Sequence, residues 1–77
     1  SALNFNMYPN PVKNGIVYFK TTQNLDIEIY NVLGKLITKE NITQSKNSVN
    51  VTNLNKGIYL IKLIYKDGEV TKKLIKQ

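Results

Sequence analysis

The 77 residues contain no cysteine, histidine, tryptophan or arginine. Without cysteine no disulfide can brace the fold, and without cysteine and histidine the usual structural zinc ligands are gone. The lack of histidine also removes Ser-His-Asp triads and the side chain best suited to proton transfer near neutral pH. A catalyst would have to be assembled from lysine, tyrosine, hydroxyl groups and five acids, and these form no cluster along the chain. The expectation is therefore a non-catalytic domain with no cofactor and no metal. No apolar run approaches the roughly 18 residues that suggest a transmembrane helix. The opening Ser-Ala-Leu-Asn has neither an initiator methionine nor a basic-then-apolar leader, so the chain reads as a piece of a longer protein.

What is abundant is lysine. Eleven lysines against five acids give a net charge of +6. Nucleic-acid readers favour arginine, whose planar fork makes bidentate contacts to phosphate and guanine, so no nucleic-acid partner is expected. Lysines alternating along strands are more simply solvated sheet faces, and they also discourage edge-to-edge pairing. At this length one domain is expected, burying roughly 60–65% of the surface its unfolded chain exposes. Two sequons, Asn41-Ile42-Thr43 and Asn50-Val51-Thr52, are expected by chance among eleven asparagines.

The apolar pattern has period two. In LDIEIY (25–30), Leu25, Ile27 and Ile29 point one way and Asp26 and Glu28 the other, the mark of a half-buried strand. IVYF (16–19) and NSVNV (47–51) are short β-branched or aromatic runs bounded by Asn and Gly. KLITKE (35–40) reads as a strand with Lys35, Ile37 and Lys39 on one face. GIYLIKLIY (57–65) places Tyr59, Ile61, Leu63 and Tyr65 on one face and Ile58, Leu60 and Ile64 on the other. Apolar character on both faces predicts a central strand covered at least partly on its second side. EVTKKLIK (69–76) is an amphipathic, basic last strand.

The turns agree. Asp67-Gly68 predicts a two-residue hairpin turn, and Asn31-Val32-Leu33-Gly34-Lys35 a longer hairpin loop with Gly34 in the left-handed region. Asn53 to Gly57 is expected to form one tight helical turn, with Leu54 plugging the end of the core. Six or seven short strands without helical periodicity predict an all-β fold, a small antiparallel Ig-like β-sandwich of about seven strands; a small barrel of the same strands is the alternative. Residues 1–4 read as a linker remnant and 5–77 as the domain.

Tyr8-Pro9-Asn10-Pro11 is a stiff, extended device, because each proline fixes φ and restricts its predecessor. The order YPNP, then DIEIYNVLGKLI, then VTNLNKGIYLIKL, then TKKLIKQ closely resembles a type A C-terminal sorting domain of the type IX secretion system of Bacteroidetes. The resemblance runs from about Asn4 to Gln77. It rests on Pro9, Asn10 and Pro11; Tyr30, Asn31, Gly34 and Lys35; Leu54, Gly57 and Tyr59; and Lys72, Lys73 and Lys76. Each block alone is weak, and their order and spacing make the combination specific.

The resemblance implies a sorting signal covalently part of a larger cargo. Its expected partners are outer-membrane translocon and shuttle proteins and a surface sortase-like peptidase that removes the domain, after which the cargo is anchored or released. The expected route is the periplasm, then the cell surface or the exterior. Pro9, Asn10 and Pro11, with Lys72, Lys73, Leu74 and Lys76, are the candidate machinery contacts. Tyr30, Gly34, Lys35, Leu54, Gly57, Tyr59 and Gly68 are expected to be structural. The bland reading of the prolines is a rigid lead into the first full strand, and of the terminal lysines, solubility. Against the latter, a last strand with a free edge invites capture by strand addition. Deleting Lys73–Gln77 is then expected to block export while leaving most of the sandwich folded. Rival readings are a carbohydrate-binding or adhesive module, with Tyr8 and Tyr18 as its only plausible exposed aromatic pair, and a fibronectin-like spacer.

Overall fold

Seven strands in chain order build two sheets: β1 (Phe5–Tyr8), β2 (Ile16–Thr21), β3 (Leu25–Tyr30), β4 (Leu36–Ile42), β5 (Ser48–Asn50), β6 (Gly57–Tyr65) and β7 (Gly68–Lys76). The structure, a computed structural model, describes residues 4–77; most of the expected linker, residues 1–3, lies outside them. One sheet has the order β1-β2-β5 and the other β4-β3-β6-β7, with every strand pair antiparallel. This is the expected small Ig-like sandwich, not the barrel. β1 is the one strand that the sequence reading did not single out.

The alternation in β3 decides which way the large sheet faces. Leu25, Ile27 and Ile29 are buried and meet Ile61, Leu63, Tyr59 and Leu74 from the neighbouring strands. Val17, Phe19, Val49 and Val51 supply the opposing layer from the small sheet and its margin. Each such side chain contributes about 1.5–3 kcal/mol when fully buried. Among the described residues the buried side chains are all hydrophobic, and the Tyr59 hydroxyl is the one polar group they carry.

Three local expectations are corrected. The β6–β7 turn is Lys66-Asp67 and not Asp67-Gly68, since Tyr65 pairs with Gly68 and Gly68 already belongs to β7. A type I′ turn would need Lys66 and Asp67 at positive φ, and no described non-glycine residue has one. In β4, a bulge opposite Ile29 and Tyr30 puts Thr38 across from Ile29 and Leu36 across from Tyr30. Ile37 is the extra residue, so it does not share a regular face with Lys35 and Lys39. Residues 52–56 form turns without a helix, closed by the Leu54 N–H donating to the Val51 carbonyl at 3.0 Å. Leu54 nevertheless packs against the core as expected.

The Asn31–Lys35 loop has the expected form. Gly34 sits at φ +85°, and its N–H donates to the Asn31 carbonyl at 3.0 Å. The Asn31 Oδ1 accepts from the N–H groups of Leu33 and Lys35 at 2.9 and 3.0 Å. One asparagine side chain therefore organises the whole connection.

Candidate recognition site

The two segments singled out as machinery contacts, one near each end of the chain, meet. Pro11 has no N–H to give to a neighbouring strand, and the Asn10 side chain supplies the missing bonds. Its Nδ2 donates to the Lys73 carbonyl at 2.8 Å, and its Oδ1 accepts from the Ile75 N–H at 3.0 Å. A carboxamide has the donor and acceptor of a peptide group, so Asn10 acts as one residue of an eighth, rudimentary strand. Val12 extends it. The Val12 N–H donates to the Ile75 carbonyl at 2.8 Å, and the Gln77 N–H donates to the Val12 carbonyl at 2.9 Å. Val12 also forms a parallel bridge with Lys76 and is fully buried.

This zipper overturns the expectation of a free edge on the last strand. From Lys73 to Gln77 the edge of β7 is already covered by the chain's own Asn10 and Val12. Replacing Asn10 by Ala removes two hydrogen bonds worth about 0.5–1.5 kcal/mol each. The expected result is a melting temperature lowered by roughly 4–20 °C. Asn10→Asp should not restore it, because a carboxylate oxygen would then face the Lys73 carbonyl. Thermal unfolding followed by circular dichroism reads both variants.

The candidate contacts fall into two groups. Pro9, Asn10, Pro11, Lys72 and Lys73 are exposed, and Lys76 is half-buried with its Nζ donating to the Gln77 carbonyl at 3.3 Å. Leu74 is fully buried, opposite Tyr59. As a contact residue Leu74 is corrected: it belongs to the core, because β7 alternation turns it inward. Lys72 lies with its Nζ 5.8 Å from the centre of the Phe5 ring, and a shallow cleft between β1 and β7 is lined by Phe5, Met7, Asn10, Lys72 and Lys73. The Tyr8-Pro9 and Asn10-Pro11 bonds beside it are both cis.

Of the residues expected to be structural, Tyr59 is buried and its hydroxyl donates to the Asn55 carbonyl at 2.8 Å. Gly57 and Gly68 sit at φ +151° and +155° at the starts of β6 and β7, and Lys35 is exposed beside Gly34. Tyr30 shares the outer face of the large sheet with Asp26 and Glu28 and lies half-buried there. Its hydroxyl donates to Glu28 Oε1 at 2.5 Å. That bond, with some burial and the charges of Glu28 and Glu69, raises its pKa above the ordinary tyrosine value. The Lys62 ammonium lies 5.7 Å from the ring centre.

Sequence reasoning missed Gly15 and Val12. The Asn14-Gly15 pair was the available signal for the first. Gly15 has φ +82°, and its carbonyl accepts from the Val51 N–H at 2.6 Å. Nothing local marks Val12 as the residue that closes the sandwich.

Residues 6–77 match the family described as "Secretion system C-terminal sorting domain". The chain is also similar to the funoran endo-beta-hydrolase of Wenyingzhuangia aestuarii, at 38% identity over 63 residues covering 78% of this chain. The chain spans only 8% of that protein's length.

Proposed function

Because the chain belongs to the family of secretion-system C-terminal sorting domains, we propose that the seam joining Asn10 to the end of β7 is the part of this signal that the type IX machinery reads. The domain is a secretion signal for a larger cargo, which it directs to the cell surface or the exterior. In this reading it is carried and not catalytic. The cargo crosses the periplasm, translocon and shuttle proteins of the outer membrane bind the folded domain, and a surface sortase-like peptidase then removes it. The cargo is anchored or released.

The observation that carries the proposal is the Asn10 clamp. It brings Pro9 and Pro11 to the edge of β7 that carries Lys72 and Lys73, exposed residues some sixty positions away in the chain, so that all four lie along one sheet edge. A pre-formed edge needs little ordering when it is bound. Lys72→Gln with Lys73→Gln keeps the backbone bonds of the clamp, since these use the Lys73 carbonyl. Exposed substitutions of this kind usually change stability by less than about 0.5 kcal/mol. A reporter fused ahead of the double variant should reach the exterior several times less efficiently than one fused to the parent. Equal export by a stable double variant would remove the lysines from the reading.

One observation favours the carbohydrate-binding rival. Tyr8 and Tyr18 are 48% and 41% exposed, with ring centres 5.7 Å apart and planes inclined by 22°. Their rings are stacked on each other, however, so each covers part of its partner's face, and no tryptophan accompanies them. Micromolar glycan binding that is lost in Tyr8→Ala would support that rival.

A further inference from the structure

The second face of β6 was expected to be covered at least partly, and the cover is partial: Lys62 and Ile64 are half-buried, whereas the other end is exposed. Ile58 and Leu60 are 47% and 42% exposed on the outside of the large sheet. Their neighbours follow from the register: Leu36 opposes Tyr30, Tyr30 opposes Leu60, Leu60 opposes Lys73, and Ile58 opposes Ile75. Directly opposed residues have Cβ atoms about 4.5–5.5 Å apart, so these side chains form one continuous patch. Leu36 is 40% exposed, and Val32 and Leu33, in the hairpin loop at the same end, are 70% and 90% exposed. Single exposed leucines carry no message, but a contiguous apolar patch with a polar rim marks an interaction surface.

Charge divides this face in two. The half away from the patch holds Asp26, Glu28 and Glu69, with Glu28 paired to Lys39 at 3.8 Å and Glu69 to Lys62 at 3.7 Å. Where the two halves meet, Glu28 accepts from the Tyr30 hydroxyl and Lys62 lies over the Tyr30 ring; elsewhere around the apolar half the bordering charges are lysines: Lys35 beside Leu36, Lys56 before Ile58, and Lys73 opposite Leu60. We propose that this patch docks a protein surface with an apolar centre and an acidic border, on a receptor of the export machinery. This rests on the sorting reading above and adds a second contact surface, which adjoins the seam at Lys73. A second copy of the domain is disfavoured by charge, since face-to-face pairing of two chains of +6 would bring their lysine borders together. A membrane is disfavoured by shape: most of the patch lies on the sheet face, whereas a bilayer would take the protruding Val32-Leu33 tip.

The test uses the reporter fusion in a host with a working type IX translocon. Ile58→Thr, Leu60→Thr and Leu36→Thr together place threonine, a residue that suits strands, at all three positions while removing the apolar contact. A second variant, Lys35→Glu with Lys56→Glu, reverses the border and leaves every apolar residue in place. Both should lower export by about tenfold, as expected when the anchor of an interface is lost, while the parent is exported normally. Export of the folded threonine variant at the parent's level overturns the inference, as does normal export of the charge-reversed variant. If the threonine variant fails to fold, the charge-reversed variant decides. Purified domain that floats with vesicles of phosphatidylcholine and phosphatidylglycerol, or that sediments as a dimer, and loses either behaviour in the threonine variant, would assign the patch to a membrane or to self-association and overturn the protein receptor. If the parent itself is not exported, the sorting reading fails and not merely the patch.

Discussion

Deleting Lys73–Gln77 should unfold the domain. The deletion removes Leu74 from the core, and truncating a buried leucine to alanine alone costs about 2–5 kcal/mol. It also removes the partners of Asn10 and Val12, four hydrogen bonds in all, each worth about 0.5–1.5 kcal/mol. The pairing of β7 with Gly57 to Leu60 of β6 goes with them. The sum exceeds about 5 kcal/mol, while a chain of this length is stable by only roughly 4–12 kcal/mol. The expected result is a far-ultraviolet spectrum without the β-sheet signal at 25 °C and no cooperative thermal transition. A truncated domain that melts cooperatively would show that β7 is an appendage. The expectation from sequence, export lost with the sandwich intact, is corrected accordingly. Loss of export on truncation would report loss of fold, and the address must be tested with substitutions that leave the backbone in place.

The second large effect is at Gly15. Its φ of +82° is costly for any residue with a Cβ. A Cβ built there would lie 2.2 Å from Thr52 Cγ2 and 3.2 Å from Thr52 Cα. The methyl group can rotate away, but the Thr52 backbone is held by its N–H bond to Asn50 Oδ1 at 2.9 Å. Together these terms place the cost of Gly15→Ala at about 2–4 kcal/mol, read as a lower urea midpoint with an unchanged slope. By comparison, Gly34 has open space around its Cβ position, so Gly34→Ala should incur only the backbone term. Equal losses at the two glycines would contradict the steric account.

Most of the strand pattern was legible because it depends on near neighbours. The alternation of Leu25, Ile27 and Ile29 and the limits of β3 and β6 follow from side-chain period alone. The Asn31–Lys35 loop was legible for the same reason, since Asn and Gly act on backbone atoms within four residues. What escaped depends on distant partners. The Asn10 clamp joins residues 63 and 65 positions apart, and no local signal says that an asparagine between two prolines will serve as a strand residue. The β6–β7 turn was displaced by one position because Gly68 is used as the first residue of a strand and not as part of the turn. The apolar second face of β6 was read correctly as a sequence feature, and its partial cover too, since Lys62 and Ile64 are half-buried while Ile58 and Leu60 stay exposed among the described residues. The exposed end is the source of the docking proposal.

The central claim is that this folded domain suffices as an address for type IX export. The most direct measurement places the 77 residues behind an inner-membrane export signal and a fluorescent reporter and follows the reporter outside the cell, with and without a working translocon. The account predicts fluorescence at the surface or in the medium only when the translocon works, and periplasmic retention when it does not. Equal appearance outside in both strains, or retention in both, would contradict it.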